Sequence, residues 1–322
     1  MLTRGAKPLN QIAMHTQPRA TIELSNIASN WKSLASMPGA KEVGAVVKAN
    51  AYGLHAARVC KTLKDAGCKT FFTATMTEGA EVRAIVGPEP DIIIFHGITD
   101  AEVDLAKTHK LRPVLNTLHQ LRTWRMHGLR ETGPAILHFD TGMNRLGLRH
   151  EDVPAVKEML DGREVGIVMS HLSCADETDN PCNAAQRESF LELAAHWPDA
   201  RKSLANSAAM ALGADYMFDL TRPGIALYGG GVPINADITS VLTLEAPILS
   251  VFMAPKAQAQ AMAQHAVSDA HAASPRSPLA MRTDFRAPHQ IMVSVSSPVS
   301  AAKSLAASRW ICSPLMSPTW HA

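Results

Sequence analysis

The residues with the clearest potential for chemistry stand in one stretch, VVKANAYG, which runs from Val46 to Gly53. It places Lys48 at the end of an apolar, β-branched run and Tyr52 four residues later. Apolar residues without polar alternation are typical of a strand covered on both faces, so Val43–Val47 is predicted to be a buried strand. A lysine at the end of such a strand loses water, which lowers its pKa and favours Schiff-base chemistry. The alternative is a lysine that extends into solvent.

Four further polar side chains stand near later strand-like runs, three of them after a run and the fourth where the last run begins. The clusters that contain them are HFDTGMNRLG, SHLSCADE, LANSAAM and TRPGIALYG, and the residues concerned are Arg145, His171, Ser207 and Arg222. Each has an ordinary structural explanation. Either arginine could pair with a local carboxylate, Asp140 or Asp219, and the histidine could lie satisfied in the core. The serine could cap a helix, and Gly224 after Pro223 fits an ordinary turn.

Strand-like runs alternate with helix-like segments from Ala20 onward. The strand candidates are Val43–Val47, Thr70–Ala74, Asp91–Phe95, Arg112–Leu115, Ala135–Phe139, Gly166–Met169, Ser203–Ala205 and Gly224–Leu227. Apolar residues recur at three and four in Gly79–Ile85, Glu151–Leu160 and Asn183–Ala195, which predicts helices there. Eight strands separated by helices predict an α/β fold, the (β/α)₈ TIM-type barrel. The alternative, a doubly wound sheet, would require a GxGxxG motif after the first strand, and the sequence has none there.

The predicted barrel explains how scattered polar residues form one site. In such a barrel the active site lies at the carboxyl ends of the strands. Lys48, Arg145, His171 and Ser207 follow predicted strands, and the cluster of Arg222 opens the last one, so we expect the five residues to converge although they are scattered in sequence. This shared position favours a functional site over five independent structural explanations.

These side chains suit an aldehyde cofactor that carries a phosphate and a pyridine ring. Lys48 would supply the Schiff base. Ser207, a tyrosine hydroxyl and the backbone amides of Gly224 and Ile225 would hold the phosphate. Arg222 cannot readily lose its proton, so beside the ring nitrogen it would donate to an unprotonated nitrogen and leave the ring a weak electron sink. A weak sink favours return of a proton to the α-carbon, so the predicted reaction is racemisation.

The same motifs carry a family resemblance. VVKANAYG, DTGMNRLG, SH followed by AD, NSAA and RPGIALYG, in this order, resemble alanine racemase, a pyridoxal 5'-phosphate enzyme, from about Ala20 to Phe252. The resemblance implies that Lys48 binds the cofactor and acts as the base on the D-alanine face. The phosphate contacts that it implies are Tyr52, Ser207, Gly224 and Ile225.

The resemblance also implies roles for the remaining site residues. Arg222 would contact the pyridine nitrogen, and His171 would steady Arg222. Arg145 would bind near the cofactor hydroxyl and the substrate carboxylate. The catalytic set implied is therefore Lys48, Arg145 and His171.

Two departures from the family pattern lie inside the barrel. His138 stands where many members carry a modified lysine that supports the arginine corresponding to Arg145, so that support must differ here. Leu54 and His55 follow the lysine motif where the family often has a glycine. The bulk of His55 is expected to perturb the first helix of the barrel.

The chain divides into four predicted parts. They are an N-terminal extension (1–19), a cofactor-binding barrel (20–232), the start of a C-terminal β domain (233–252) and a tail (253–322). The stretch Thr239–Phe252 resembles the first strand of the family's β domain. The tail contains no glycine, although 19 glycines precede it. Antiparallel β domains depend on glycine and asparagine turns, so the tail is predicted to be disordered.

A frameshift would account for the tail. Read one frame over, with permitted choices at degenerate codon positions, Gln260–Ala263 can encode Gly-Tyr-Gly and Leu279–Asp284 can encode GYADG. Ser308–Trp320 can encode SMDLLAVDVTDVA. All three resemble C-terminal motifs of alanine racemase, in family order. We therefore hypothesise a frameshift near codon 253, and coding DNA that does not yield these motifs would contradict it.

The tail has a mechanistic consequence under the resemblance. The family's second base is the tyrosine of the Gly-Tyr-Gly motif, contributed across a homodimer interface to the face opposite the lysine. No residue of this chain matches it, and one positioned proton-transfer group is commonly worth about 10²–10⁴-fold in rate. Activity is thus expected to be severely reduced. Dimerisation is also expected to suffer, because the β domain supplies much of the family's dimer contact.

Composition narrows the remaining possibilities. The formal net charge is +2, with basic and acidic residues interspersed, so no nucleic-acid partner is predicted. No apolar run has the length of a membrane span, and the N-terminus lacks the apolar core of a signal peptide. The five cysteines form no CxxC pair, which favours reduced thiols in the cytoplasm over zinc or disulfides. No metal site is predicted, and the expected small-molecule partner is alanine.

Two rival functions remain open at this point. One is a barrel that binds pyridoxal phosphate without turnover, like the cofactor-homeostasis proteins of similar fold. The other is an amino-acid decarboxylase of related barrel type. The decarboxylase is disfavoured because those enzymes also need a β domain and because RPGIALYG fits racemases better.

Overall fold

The fold is described by a computed structural model. Residues 18–231 and 234–246 are described with their side chains, and residues 250–253 and 273–276 by their backbone alone. The predicted N-terminal extension therefore lies outside the described residues except for its last two positions. Most of the predicted tail also lies outside the described residues, which include only residues 253 and 273–276 of it. All three motifs of the frameshift hypothesis lie outside them.

A curled sheet of seven parallel strands forms the centre of the fold. Strand β1 (Arg19–Ile22) lies outside this sheet. The strands of the sheet are hydrogen-bonded in chain order and are β2 (Ala45–Val46), β3 (Thr70–Thr73), β4 (Asp91–Ile94), β5 (Arg112–Leu115), β6 (Ala135–His138), β7 (Val165–Met169) and β8 (Arg201–Ser203). Seven of the eight predicted strands are thus present, with bounds that shift by up to two residues at either end. Parallel order with a helix between neighbours is the pattern of a (β/α)₈ barrel.

The eighth predicted strand, Gly224–Leu227, is wrong. This segment contains a 3₁₀ helix, Ile225–Tyr228. A short apolar run such as Ile-Ala-Leu does not distinguish a buried strand from a buried helical turn, because both place every residue in the core. Pro223 also has no N–H to donate to a strand ladder, which discourages pairing at this point.

Residues 221–223 take the place of the eighth strand. On one side, the N–H of Arg222 donates to the carbonyl oxygen of Ala205 at 2.8 Å. On the other side, the N–H of Val46 donates to the carbonyl oxygen of Pro223 at 3.0 Å. These bonds join the end of β8 to β2 and close the barrel, which confirms the predicted fold class.

Helices cover the outside of the sheet. They are α1 (Leu24–Ala35), the short turn α2 (Lys48–Tyr52), α3 (Ala56–Ala66), α4 (Met76–Val86), α5 (Val103–Thr108), α6 (Leu118–Met126), α7 (Val153–Leu160), α8 (Pro181–Ala194), α9 (Ser207–Ala211) and α10 (Ala214–Met217). Shorter 3₁₀ helices occupy Asp100–Glu102, Leu129–Thr132 and His150–Asp152. The three helices predicted from periodicity are confirmed as α4, α7 and α8.

The core has two layers, which follow from the alternation of side chains along a strand. One layer fills the inside of the barrel and contains Val46, Phe72, Ile93, Val114, Ile136, Ile167, Met169 and Leu220. The larger layer lies between the sheet and the helices, where for example Phe71 is fully buried beside the inward-facing Phe72. Because both faces are covered, most of the strands are largely apolar, which made them visible in the sequence. Strand β8, with the sequence Arg-Lys-Ser, is the exception.

Short antiparallel pairs lie outside the barrel. Strand β1 pairs with β9 (Leu242–Glu245), and β10 (Ser250–Met253) pairs with β11 (Ala273–Arg276). The single strand predicted over Thr239–Phe252 therefore appears as two strands with residues 247–249 outside the described part. The strand β11 lies within the stretch predicted to be disordered, and the disorder of the tail stays a prediction. The four-part domain division remains a prediction.

Candidate active site

The carboxyl ends of the barrel strands carry the candidate site. Lys48 follows β2, Arg145 lies in the loop after β6, and His171 follows β7. Ser207 begins α9 after β8, and Arg222 lies in the segment that closes the barrel. The barrel thus brings residues from 48 to 222 to the end at which barrel enzymes carry their active sites.

Lys48 is exposed at the first position of α2. The prediction that an apolar wall removes its water is wrong, because the buried run ends at Val47, which is 1% exposed, and the lysine lies beyond it. Lys48 nevertheless acts on the site electrostatically. Its positive charge is one of the groups that lower the pKa of His171.

The backbone after Lys48 forms a left-handed turn. Residues 49–52 all have φ between 53° and 56°. The N–H of Ala51 donates to the carbonyl oxygen of Val47 at 2.9 Å, which closes the turn. This conformation costs each L-residue about 1–2 kcal/mol. The turn is therefore a strained element that fixes the chain direction between Lys48 and Tyr52.

His55, three residues after the end of this turn, is one of the departures from the family pattern. His55 has a φ of 75°, in the region that glycine adopts without strain. Helix α3 begins directly after it, with the N–H of Val59 bonded to the carbonyl oxygen of His55 at 3.2 Å. The predicted perturbation of the first helix by His55 is therefore wrong. The bulk of the side chain is accommodated at the cost of local backbone strain.

Tyr52 and Gly224 are in close contact. A Cβ atom added to Gly224 would lie 2.2 Å from the Tyr52 hydroxyl oxygen, so only glycine fits at this position. The Tyr52 ring also packs against the ring of Tyr228, with 4.8 Å between centroids. Burial raises the pKa of Tyr52, so the hydroxyl keeps its proton near neutral pH and serves as a hydrogen-bond donor.

Ser207 joins this group from the opposite side. Its Oγ accepts hydrogen bonds from the N–H groups of Gly224 at 2.9 Å and Ala226 at 3.2 Å. The alternative that Ser207 caps helix α9 is wrong, because the cap is Asn206, whose side-chain oxygen accepts from the N–H of Ala209 at 2.8 Å. Two hydroxyls and a glycine backbone thus form one polar cradle, which we define as Tyr52, Ser207 and Gly224, and Ile225 follows at the start of the 3₁₀ helix.

Arg222 is a buried cation without an acidic partner. Its guanidinium donates to Ser203 Oγ at 2.5 Å, to the carbonyl oxygen of Ser170 at 2.6 Å and to that of Leu204 at 3.1 Å. No carboxylate of the described residues lies within ion-pair distance of it, and the alternative partner Asp219 instead pairs with Lys41 at 2.7 Å. Burial lowers the pKa of Arg222 to about 9, so it remains protonated near neutral pH.

Two histidines lie close to this cation, His138, which is buried, and His171, which is half-buried. Burial, together with the charges of Arg222 and Arg145, lowers the pKa of His171 to about 3. Burial also lowers the pKa of His138 to about 4, again with a contribution from Arg222. Both imidazoles are therefore neutral near pH 7. The hydrogen bonds of Arg222 in the described part of the chain run to Ser170, Ser203 and Leu204 and not to His171.

Arg145 lies on an exposed loop organised by Asp140. The Asp140 carboxylate accepts hydrogen bonds from the N–H groups of Gly142 at 2.9 Å and Asn144 at 3.1 Å, which lower its pKa although burial opposes them. The cation beside Asp140 is Arg149, at 3.5 Å, so the alternative pairing of Asp140 with Arg145 is wrong. Arg145 remains an exposed cation at the end of the barrel where the other site residues lie.

Sequence reasoning missed four polar residues that support the site. Asn116 hydrogen-bonds to His138, Ser170 and Ser203 hold Arg222, and Glu78 bonds to the turn after Lys48. A signal for two of them was available, because Asn116 and Ser170 directly follow the carboxyl ends of predicted strands. Ser203 was predicted as the first residue of its strand, whereas it is the last residue of β8. Glu78 was visible only as part of the Thr-x-x-Glu pattern that begins a helix.

Other classes of site find no counterpart in the described residues. No group of three or more His, Cys, Asp or Glu side chains there could hold a metal ion. The described cysteines, Cys60, Cys68, Cys174 and Cys182, are free thiols. None of the described helices is both long enough and apolar enough to cross a bilayer.

Known proteins match this arrangement over most of the chain. The family model "Alanine racemase, N-terminal domain" matches residues 22–232. The alanine racemase of Acidiphilium cryptum is 42% identical over 240 residues, 73% of this chain and 67% of that protein. The alanine racemase of Rhizobium meliloti is 40% identical over 245 residues, 74% of this chain and 64% of that protein. The chain thus spans about two thirds of the length of these curated relatives.

A solved structure extends the match to three dimensions. The crystal structure of alanine racemase from Bartonella henselae, with covalently bound pyridoxal phosphate, superposes with a TM-score of 0.67 at 29% identity. The superposition covers 74% of this chain and 73% of that one. With the family model, two close relatives and the barrel in agreement, the chain belongs to the alanine racemase family.

Proposed function

We propose that this chain binds pyridoxal 5'-phosphate and acts on alanine, as an alanine racemase whose turnover is impaired. The observation that carries the proposal is the polar cradle of Tyr52, Ser207 and Gly224, which lies at the same barrel end as Lys48 and the buried Arg222. Phosphate groups are bound by hydroxyl and backbone donors that approach closely where a glycine leaves room. The cradle combines the hydroxyls of Tyr52 and Ser207 with the backbone of Gly224, which has no Cβ.

The residues present fit the cofactor. Its phosphate would be held by Tyr52, Ser207 and the backbone at Gly224 and Ile225, since the absence of a Cβ at Gly224 lets the Tyr52 hydroxyl approach. Its ring nitrogen would be held by Arg222, whose charge has no carboxylate partner among the described residues. Lys48 is the lysine for the covalent bond. When bound, the cofactor supplies an electron sink that acidifies the α-proton of an amino acid.

Arg222 favours racemisation over transamination. A guanidinium with a pKa of about 9 remains protonated near neutral pH and donates a hydrogen bond. Beside a ring nitrogen it therefore leaves that nitrogen unprotonated, which weakens the sink and favours return of the proton to the α-carbon. His171, neutral because burial lowers its pKa to about 3, adds no second positive charge beside Arg222.

The site residues provide a proton-transfer group for only one face of the substrate. Lys48 would remove or return the α-proton on the D-alanine face, and Arg145 would bind the substrate carboxylate. The family places a tyrosine on the opposite face, but this sequence has three tyrosines and each is engaged elsewhere. Tyr52 is part of the cradle. The hydroxyl of Tyr228 donates to the carbonyl oxygen of Val46 at 3.0 Å, and the ring of Tyr216 lies under a guanidinium.

The same observation favours a second candidate function. With every tyrosine of the sequence engaged, the barrel retains its groups for holding the cofactor, but no tyrosine among the described residues is free to act as the opposed base. A chain that binds pyridoxal phosphate without turnover would have this composition. The two candidates therefore share Lys48, the cradle and Arg222, and they differ only in the exchange of the α-proton on the second face.

The biological setting follows from the family. D-Alanine made by such an enzyme would supply peptidoglycan precursors in the cytoplasm, where the free cysteines of the described residues would remain reduced. Dimerisation would be weakened, because the family's C-terminal domain contributes much of the dimer contact. No nucleic-acid or membrane partner is part of the proposal.

Reconstitution tests the proposal. The purified chain is titrated with pyridoxal phosphate, the visible absorbance of lysine-bound cofactor is recorded, and D-alanine formation from L-alanine is followed. We expect absorbance in the wild type that is lost in Lys48→Ala and retained in Lys61→Ala, a substitution on the outer helix α3. Slow racemisation supports the impaired racemase, and absorbance without racemisation supports the second candidate. Absence of the absorbance band in the wild type would contradict both.

A further inference from the structure

The side chain of Glu78 reaches the turn that carries Lys48. Its Oε1 accepts a hydrogen bond from the N–H of Ala49 at 2.8 Å. Its Oε2 accepts from the N–H of Ala74 at 2.8 Å and lies 3.4 Å from that of Thr75. One half-buried carboxylate thus connects the turn after β2 to the start of α4 after β3. The two segments are neighbours because β2 and β3 pair in parallel.

The turn needs such support because its backbone is strained. Residues 49–52 are four consecutive non-glycine residues with positive φ. A left-handed turn of L-residues persists only when surrounding structure holds it. The N–H of Ala49 is the first amide in this stretch, so a fixed acceptor there sets where the left-handed turn begins. A second contact holds the far end, where the side-chain oxygen of Asn50 accepts from the N–H of Ala56 at 2.7 Å.

The two carboxylate oxygens of Glu78 make contacts of different kinds. The Oε2 contacts, with the bond from the N–H of Glu78 to Thr75 Oγ at 3.3 Å, form a capping box at the start of α4. The Oε1 contact to Ala49 is no part of a capping box, because the partner amide lies 29 residues earlier in the chain. A helix cap requires only the Oε2 contacts and the bond to Thr75, so the Oε1 contact to Ala49 needs a separate explanation.

We propose that Glu78 is a positioning residue for Lys48, acting through its hydrogen bond to Ala49 on the left-handed turn. Fixing the first amide of the turn fixes where the chain leaves β2, and thereby where the Lys48 amine stands relative to Tyr52 and the cradle. Only the final step, presentation of Lys48 to pyridoxal phosphate, rests on the proposed function. The fixing of the turn itself does not.

Three substitutions separate this role from helix capping. Glu78→Gln keeps the size of the side chain but replaces one acceptor oxygen with an NH₂ group. The one oxygen that remains cannot accept from the N–H groups of both Ala49 and Ala74. Glu78→Asp keeps the charge but is one methylene shorter, so it serves the nearby helix start and not Ala49. Thr75→Ala removes the other half of the capping box and leaves the Glu78 carboxylate in place.

Hydrogen exchange of the chain without cofactor gives the first measurement. In Glu78→Asp we expect the Ala49 amide to exchange roughly 10- to 100-fold faster, the factor for loss of a hydrogen bond to a charged acceptor. In Glu78→Gln, whose one carbonyl oxygen serves Ala49 or Ala74 but not both, we expect faster exchange at one of these two amides. Thr75→Ala should leave the Ala49 amide at the wild-type rate while it speeds exchange at the start of α4. Wild-type rates at Ala49 in both Glu78 variants, or equal acceleration in Thr75→Ala, would overturn the proposal.

Cofactor binding gives the second measurement. Glu78→Asp should require about ten times more pyridoxal phosphate for half-maximal absorbance of the lysine-bound form, in proportion to the loosened turn. Thr75→Ala should bind as the wild type does. Wild-type affinity in both Glu78 variants would overturn the positioning of Lys48. If the wild type itself binds no cofactor, the proposed function fails, and the exchange rates still decide whether Glu78 fixes the turn.

Discussion

The imidazole Nδ1 of His138 lies 2.7 Å from the side-chain oxygen of Asn116, and this contact fixes the protonation of the imidazole. The Asn116 amide nitrogen donates to the carbonyl oxygens of Phe95 at 3.0 Å and Val114 at 3.1 Å, which determines that its oxygen faces His138. An amide oxygen only accepts, so Nδ1 of His138 carries the proton. The other nitrogen, Nε2, remains an acceptor, so His138 is a neutral hydrogen-bonding group at this end of the barrel.

The burial of His138 predicts a pH-dependent stability. Its pKa is about 4 in the folded chain and about 6.5 when unfolded, so between these values the unfolded state binds a proton that the folded state does not. The free energy of unfolding therefore falls as the pH falls. From pH 7.5 to pH 5 the loss is about 2 kcal/mol for this residue. Chemical denaturation at a series of pH values measures it.

A matched pair of variants isolates this effect. His138→Gln should remove about 2 kcal/mol of the pH dependence between pH 7.5 and pH 5. The control, His119→Gln, changes an exposed residue on α6 and should leave the dependence intact. Equal pH dependence in the wild type and in His138→Gln would show that His138 is not held neutral by burial and Asn116.

The contact between Gly224 and Tyr52 predicts a coupled pair of substitutions. Gly224→Ala places a Cβ 2.2 Å from the present position of the Tyr52 hydroxyl oxygen, which forces the tyrosine or the backbone to move. We expect a loss of about 1–3 kcal/mol in the free energy of unfolding, the usual cost of overpacking. Tyr52→Phe removes the oxygen atom. A double-mutant cycle by urea denaturation should therefore find Gly224→Ala less costly in the Tyr52→Phe background, and strict additivity would contradict the contact.

The two hydrogen bonds accepted by Ser207 predict a loss of both stability and cofactor affinity. Ser207→Ala leaves the buried N–H groups of Gly224 and Ala226 without an acceptor, at a cost of about 1–3 kcal/mol. Thermal denaturation without cofactor measures the stability, and titration with pyridoxal phosphate measures the affinity. Ser36→Ala, an exposed position after α1, is the control. Equal behaviour of the two variants would remove Ser207 from the cradle.

The barrel and the common end of its site residues were predictable from sequence because each depends on a strong local pattern. Buried parallel strands contain continuous apolar runs, so the strands around residues 92–94 and 135–137 were visible in the sequence. The carboxyl-end rule then placed residues as distant as Lys48 and Arg222 together. Neither inference required knowledge of a side-chain conformation.

The remaining features depend on contacts between segments that sequence patterns do not encode. The exposure of Lys48 is set by where the buried run stops in space, and the left-handed turn after it has no glycine to mark it. The hydrogen bond from His138 to Asn116 joins two strand ends 22 residues apart. The last strand was predicted at residues 224–227, although residues 221–223 close the barrel. The prediction failed because the apolar residues after Pro223 suit a strand and a buried 3₁₀ helix equally.

Racemisation uses one base on each face of the substrate, and the central proposal is that this chain supplies only one of them, Lys48. Isotope exchange tests this proposal most directly. The chain reconstituted with pyridoxal phosphate is incubated in D₂O with D-alanine and, separately, with L-alanine. We predict deuterium at the α-carbon of D-alanine with retention of configuration, loss of this exchange in Lys48→Ala, and little exchange into L-alanine. Rapid deuterium incorporation from both enantiomers, with their interconversion, would show an opposed second base and contradict the account.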